Sequence, residues 1–311
     1  MTAEEGAPGP QTTLMHDGEL LIDEALVARL LAEQLPEFAG LAVRSWPSTG
    51  TVNAIFRLGD HLTARLPRLQ RYAVALAREA AWLPRLAPRL SLRVPEPVAV
   101  GRPTTEYPCV WAVYRWLDGV SWGDGVVVDE RAMATALAGF VGELRALDPG
   151  GGPPAGRAPL RELNVRTRAA IEAARGAIDA EAALAAWTRA LAAPAWDGVP
   201  AWIHGDLMRP NLLVVDGRLD AVIDFGGAGV GDPALDLVAA WSVFGPAGRA
   251  AFGEALRHDP RLDAGAWARA RGYALHQASL IVPYYAVSNP AFAAEAVRIV
   301  GEVLGDVGWG R

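Results

Sequence analysis

Apolar positions follow two regimes along the chain. Between residues 41 and 114 they come in short runs with polar breaks, at 41–43, 54–58, 61–66, 94–100 and 110–114, the pattern of five strands. Gly59-Asp60 lies between two of these runs as a hairpin turn. From residue 130 onward the spacing changes to threes and fours, as in Met133, Leu137, Phe140, Val141 and Leu144, which is the face of a helix. The same period predicts helices over 160–174, 178–192, 233–244, 248–256, 264–282 and 290–304. Two helices belong to the first regime. One covers 23–35, with Ile22, Leu26, Leu30 and Leu31 on one face and Pro36 past its end; the other covers 71–86, where Pro84 is placed to shorten it. A Gly/Pro-rich break fills 148–159, and residues 1–16 read as a disordered tail. Strands followed by helices predict an α+β fold: a five-stranded antiparallel sheet with a helix over 17–116, then a mostly helical part over 117–311.

One stretch interrupts the helical regime. Residues 202–237 read WIHGDLMRPNLLVVDGRLDAVIDFGGAGVGDPALDL. Asp216-Gly217 between two apolar runs is a strong hairpin signal. Closing that hairpin brings Asp206 and Asn211 near Asp224. Two carboxylates and an amide gathered in this way suit phosphoryl transfer. One Asp accepts the proton of the attacking hydroxyl, while Asn and the second Asp hold magnesium against nucleotide phosphates. Magnesium asks for only one or two protein carboxylates, because phosphates and waters complete its octahedron.

The order His204-Gly205-Asp206, Asn211, Asp224-Phe225-Gly226, then Gly231-Asp232-Pro233 with Asp236-Leu237, resembles the aminoglycoside phosphotransferase family. Its members are antibiotic and small-molecule kinases with a bilobal, protein-kinase-like fold. Protein kinases carry a related pair of motifs. The central Gly205 and the short gap from Asn211 to Asp224 point to the small-molecule branch.

That resemblance implies roles for further residues. Asp206 positions and deprotonates the acceptor hydroxyl; Asn211 and Asp224 hold Mg2+; His204 braces the loop, and Asp236 accepts hydrogen bonds from its backbone. Asp232, before Pro233, caps the following helix. The loop bearing Ser48, Thr49, Gly50, Thr51 and Asn53 covers the phosphates of ATP or GTP. Arg65 stands where the family has a phosphate-clamping Lys, with Glu79 as its helix partner. Backbone groups of Arg115 to Leu117 meet the purine edge. The chain contains no Lys at all, so Arg65 must supply the charge as a fork rather than a point.

Composition narrows the remaining possibilities. With 51% hydrophobic and 21% charged residues the chain is an ordinary globular protein. Its single cysteine, Cys109, excludes an internal disulfide and suits a reducing compartment. The start MTAEEGAPGPQTT has no basic, apolar leader, and no apolar run approaches a membrane span, so the expected location is cytoplasmic, with no membrane partner. A net charge of −6 without a basic stripe argues against nucleic acid. The expected assembly is a monomer or homodimer. Arg/Ala/Gly/Pro bias indicates a GC-rich genome.

The acid excess sits at 200–236, with six acids against two arginines, and at 101–149, with seven against four. Segments 150–199 and 237–311 are nearly balanced, at five against six and six against seven. Those helical segments are expected to line the acceptor pocket. Without an acid surplus they favour a neutral or singly charged hydroxyl compound, such as a macrolide, a nucleoside antibiotic, a sugar or an amino alcohol, over a polycationic aminoglycoside. Glu162, Asp259 and Asp263 are the acids best placed to reverse this. Trp241, Phe244, Tyr273, Tyr284 and Tyr285 read as core more than as a pocket wall. The rival functions are a metabolite kinase and a nucleotide-binding regulator without turnover. A hydrolase is disfavoured by the lack of a G-x-S-x-G elbow.

Overall fold

The short apolar runs assemble into one sheet. The structure, a computed structural model, describes residues 18–47, 52–123, 125–196 and 198–306. In chain order the first elements are α1 (Glu24–Gln34), β1 (Val43–Trp46), β2 (Asn53–Leu58), β3 (Leu62–Pro67), α2 (Ala73–Leu86), β4 (Pro97–Gly101) and β5 (Trp111–Arg115). The strands lie in the order β1-β2-β3-β5-β4, and every neighbouring pair is antiparallel. Asp23 caps α1, its Oδ1 accepting from Leu26 N at 2.7 Å.

Alternation along β5 serves two cores at once. Trp111 and Val113 pack with Leu26, Val27, Leu30 and Leu31 of α1 and with Phe56, Leu58 and Leu66. Ala112 and Tyr114 point the other way, into the cluster that contains Leu76 and Leu83 of α2 and the helical part. Pro84 lies inside α2 rather than ending it. The helix closes two residues later, so the ring costs it one backbone bond near its end.

The rest comprises β6 (Val120–Ser121), α3 (Glu130–Ala146), α4 (Leu160–Ala173), α5 (Ala180–Ala190), β7 (Ala201–Ile203), β8 (Leu212–Val215), β9 (Arg218–Val222), β10 (Gly229–Gly231), α6 (Ala239–Ser242), α7 (Pro246–Leu256), α8 (Ala266–Tyr285) and α9 (Pro290–Gly305). β6, β8 and β9 form a small sheet and β7 pairs with β10. Residues 233–244, expected as one helix, are a 3-10 segment (Pro233–Val238) followed by α6. The tighter segment keeps Asp236 fully buried. α8 is the central helix; α9, α4 and α5 all pack on it. Its approach to α4 depends on Gly272, where a Cβ would come 2.7 Å from Leu160 Cδ1. Trp241, Phe244 and Tyr273 are core residues, whereas Tyr284 is 60% exposed.

Candidate active site

The β8–β9 hairpin positions the chemistry. Asp216 and Gly217 both adopt positive φ, 49° and 74°, in a two-residue turn of the mirror type that suits the twist of an antiparallel pair. At the open end, Ile223 N donates to Asn211 O at 2.9 Å. Asn211 and Asp224 therefore face each other across the mouth of the hairpin. Asp224 itself sits in the left-handed region, φ 68°, which is uncommon for a residue with a side chain and marks a constrained position. Its side chain is 39% exposed.

The residues before the hairpin are fixed by buried bonds. Asp236 accepts His204 N through Oδ2 at 3.0 Å and Gly205 N through Oδ1 at 2.8 Å. His204 is fully buried, its Nε2 meeting Ile223 O at 3.1 Å and its Nδ1 accepting Asp206 N at 3.3 Å. Both contacts suit the tautomer with the proton on Nε2. The ring also stacks edge-on to Phe225, with centroids 4.6 Å apart. Gly205 has φ 80°, and a Cβ there would come 3.1 Å from Gly227 O, so the middle of the triplet is sterically reserved for glycine.

Asp206 is the carboxylate these bonds present. Asn211 Nδ2 donates to Asp206 O at 2.9 Å and approaches Oδ2 at 3.5 Å. Gln277 of α8 donates to Oδ1 at 3.0 Å. Burial raises the Asp206 pKa, and Asp224 raises it further; His204, Arg157 and the Gln277 bond offset only part.

Across from this group stands Arg65. Its Nη1 donates to Glu79 Oε1 at 2.6 Å and its Nη2 lies 3.7 Å from Asp224 Oδ1. Burial works against the Arg65 charge, yet Glu79, Tyr114 and Asp224 outweigh it and keep the guanidinium protonated. For Glu79, burial raises the carboxyl pKa more than Arg65 lowers it. The pair is thus a placed charge rather than a source of stability.

At the strand end, Arg115 N donates to Glu96 O at 2.9 Å and Trp116 N to His61 O at 2.8 Å. Those two amides, two of the three expected at the purine edge, are spent on backbone carbonyls. Asn53 opens β2, buried. Ser48, Thr49, Gly50 and Thr51 lie outside the described residues. Asp232 accepts Ala234 N at 2.9 Å and is gripped by Arg269 at 2.8 and 3.0 Å, which ties it to the packing of α8.

Magnesium fits the donors present. Asn211 spends its Nδ2 on Asp206, so Oδ1 is the atom free to ligate, and the half-exposed Asp224 would supply the carboxylate. Among the described residues no cluster of three or more His, Cys, Asp and Glu could hold a metal unaided. A magnesium site that takes most of its ligands from phosphate and water needs none. Sequence reasoning missed Gln277 and Arg157, since neither belongs to a motif. Both come to Asp206 from segments remote in the chain.

The model of the phosphotransferase enzyme family matches residues 47–273. The chain belongs to that family. No curated protein matches it by sequence. Similar solved structures include the GDP complex of wild-type aminoglycoside 2'-phosphotransferase-IIIa, 21% identical with a TM-score of 0.69 over 92% of this chain and 99% of that one. The macrolide 2'-phosphotransferase MphH from Brachybacterium faecium is 23% identical, with a TM-score of 0.59 over 88% and 97%. The ADP-bound aminoglycoside phosphotransferase APH(2'')-Ib is 15% identical, with a TM-score of 0.57 over 90% and 97%. At these identities the structures share the phosphotransferase fold. Among the described residues no helix is long and apolar enough to cross a membrane.

Proposed function

We propose that this phosphotransferase moves the γ-phosphoryl group of ATP or GTP to a hydroxyl of a small molecule, an antibiotic or a metabolite such as a sugar or amino alcohol. The observation that carries this is the convergence of Asp206, Asn211 and Asp224 at one hairpin mouth, with Arg65 3.7 Å from Asp224. Asp206 accepts the proton of the attacking hydroxyl; its raised pKa makes it a better base, and Gln277 fixes the orientation of Oδ1. Asn211 and Asp224 would hold Mg2+, which neutralises charge on the β- and γ-phosphates. Arg65, aimed by Glu79, meets the phosphates with forked donors. The backbone at 115–117 receives the purine, and residues 17–116 and 117–311 act as the nucleotide and acceptor lobes. Similar folds bound to GDP and ADP support a nucleotide as donor.

The carboxylates Asp206, Asn211's neighbour, and Asp224 are both present, which favours turnover over a purely regulatory role. Incubating the protein with ATP or GTP, Mg2+ and a panel of hydroxyl compounds, with an acceptor-free control, tests this. Acceptor-dependent ADP or GDP release with a phosphorylated product is expected. Nucleotide binding without turnover on any acceptor contradicts it.

A further inference from the structure

Two of the three acids that a polycationic acceptor could use are already committed; Glu162, exposed in the first turn of α4, has no such partner among the described residues. Asp259 Oδ2 accepts from Arg145 at 2.6 Å, and Asp263 is held by two nitrogens of Arg269 at 2.8 and 2.6 Å. Beside Asp206 the charge has the opposite sign. Residues 153–155 are laced to β10, with Val230 N donating to Pro153 O at 2.8 Å and Ala155 N to Val230 O at 3.0 Å. A Cβ on Gly156 would lie 3.1 Å from Leu235 Cδ1, so the chain is pressed against residues 233–238 there. Leu160 is then fixed against Gly272 of α8. The span between these anchors carries Arg157 to the part of α8 that bears Tyr273, His276 and Gln277. Gln277 itself touches Asp206.

Arg157 is half-buried and has no hydrogen bond or ion pair among the described residues. Burial lowers its pKa, Asp206 and then Tyr273 offset part of that, and Arg166 adds to the lowering. Arg166, exposed on α4, adjoins Thr167, whose Oγ1 meets His276 Nδ1 at 2.8 Å. His276 responds to the same field. Burial first, then Arg157 and Arg166, push it down to about 4. The Arg157 guanidinium therefore bears on Asp206, and Arg166 stands close enough to bear on Arg157 and His276. The nucleotide side is already served by Arg65, which faces Asp224, whereas the carboxylate that Arg157 faces is Asp206.

We propose that Arg157, with Arg166 behind it, forms a subsite beside Asp206 for an oxyanion, a carboxylate or a phosphate, carried by the molecule whose hydroxyl is phosphorylated. A free, half-buried guanidinium offers forked donors that match such a group. An ammonium placed there meets two like charges, with Asp206 the acid that offsets them. The inference deepens the proposed phosphotransfer and rests on it for the hydroxyl's fate.

The test uses the full chain with ADP and Mg2+ in a calorimeter, so that turnover is not required. Probes are matched sets on several scaffolds: hydroxy acids, their amides and the corresponding amines, with sugar phosphates to separate phosphate from carboxylate. Acids or phosphates should bind at least about tenfold more tightly than the matched amides, the scale of one charge-assisted hydrogen bond. Arg157→Gln should bring that ratio close to unity, and Arg166→Gln should reduce it less. Thermal unfolding and ADP affinity report whether each variant is folded, and Arg166→Gln decides the matter if Arg157→Gln is not. Preference for amides or amines, failure of every anionic probe to bind, or a ratio unchanged by both substitutions overturns the subsite. Selective anion binding with no phosphoryl transfer to any probe would instead leave the subsite standing and remove the phosphotransfer.

Discussion

Arg65→Ala tests the electrostatic logic of the cleft most directly, because its cost has a ceiling that can be worked out. Removing the guanidinium leaves Glu79, whose side chain is 2% exposed, without the partner that sits 2.6 Å away. An unpaired carboxylate in that position need not stay charged; it can take up a proton. The penalty cannot exceed the work of protonating it, about 1.36 kcal/mol for each pH unit above its ordinary value of 4.5. At about pH 7 that ceiling is ~3.4 kcal/mol, and at about pH 5 it is only ~0.7 kcal/mol. The sign follows from the raised pKa of Glu79. Such a carboxyl contributes stability that is complete below 4.5 and is lost as pH rises through the higher folded value, and losing Arg65 extends that window upward. Urea unfolding of both proteins at the two pH values should therefore show Arg65→Ala destabilising by roughly 2–3 kcal/mol near neutrality and by far less near pH 5. Adding Glu79→Gln should abolish the pH dependence. A destabilisation that is the same at both pH values, or below about 1 kcal/mol throughout as for a surface pair, would refute the reasoning. In the same variant, triphosphate affinity should fall more than adenosine affinity, and Arg65→Lys should recover only part of it.

Other substitutions separate the remaining roles. Asp206→Asn should keep nucleotide affinity while lowering kcat by roughly two to four orders of magnitude; near-normal turnover removes Asp206 from the reaction. Because burial raises the Asp206 pKa above its ordinary 3.8, the acid limb of kcat/KM should lie above that value, with activity rising as pH increases. A profile flat down to about pH 4 contradicts this. Asp224→Ala should eliminate magnesium-dependent turnover and Asn211→Ala should weaken it less, so equal rates with and without a chelator speak against both. Asp236→Ala strands the buried amides of His204 and Gly205 and should cost about 2–4 kcal/mol in urea unfolding, along with most of kcat. A loss under about 1 kcal/mol would show that the loop holds its shape without it.

What the sequence determined by itself was mostly local. The alternation at 54–58, 61–66 and 110–114 and the three–four spacing at 133–144 sorted strands from helices. The Asp216-Gly217 turn located the hairpin, because its two positive φ values are a requirement that few residue pairs meet. The motif residues Asp206, Asn211 and Asp224 were legible for the same reason: one short hairpin carries all three. Strand order, the two-sided use of β5 and the break of 233–244 into two pieces depend on what packs against each segment. No local pattern encodes that.

Only the tertiary structure could bring Gln277 from α8 and Arg157 from the 148–159 break toward Asp206, across 71 and 49 positions of sequence. The same is true of charge. Counting acids and arginines by segment gave the balance of the helical part, but not which acids were free. Of Glu162, Asp259 and Asp263, counted as candidate linings, the last two proved to be held by Arg145 and Arg269, while Arg157 was left without a partner among the described residues. Net charge is additive along a chain and can be read from it. The field at a site falls with distance and depends on who is paired with whom, and only the folded chain sets those distances.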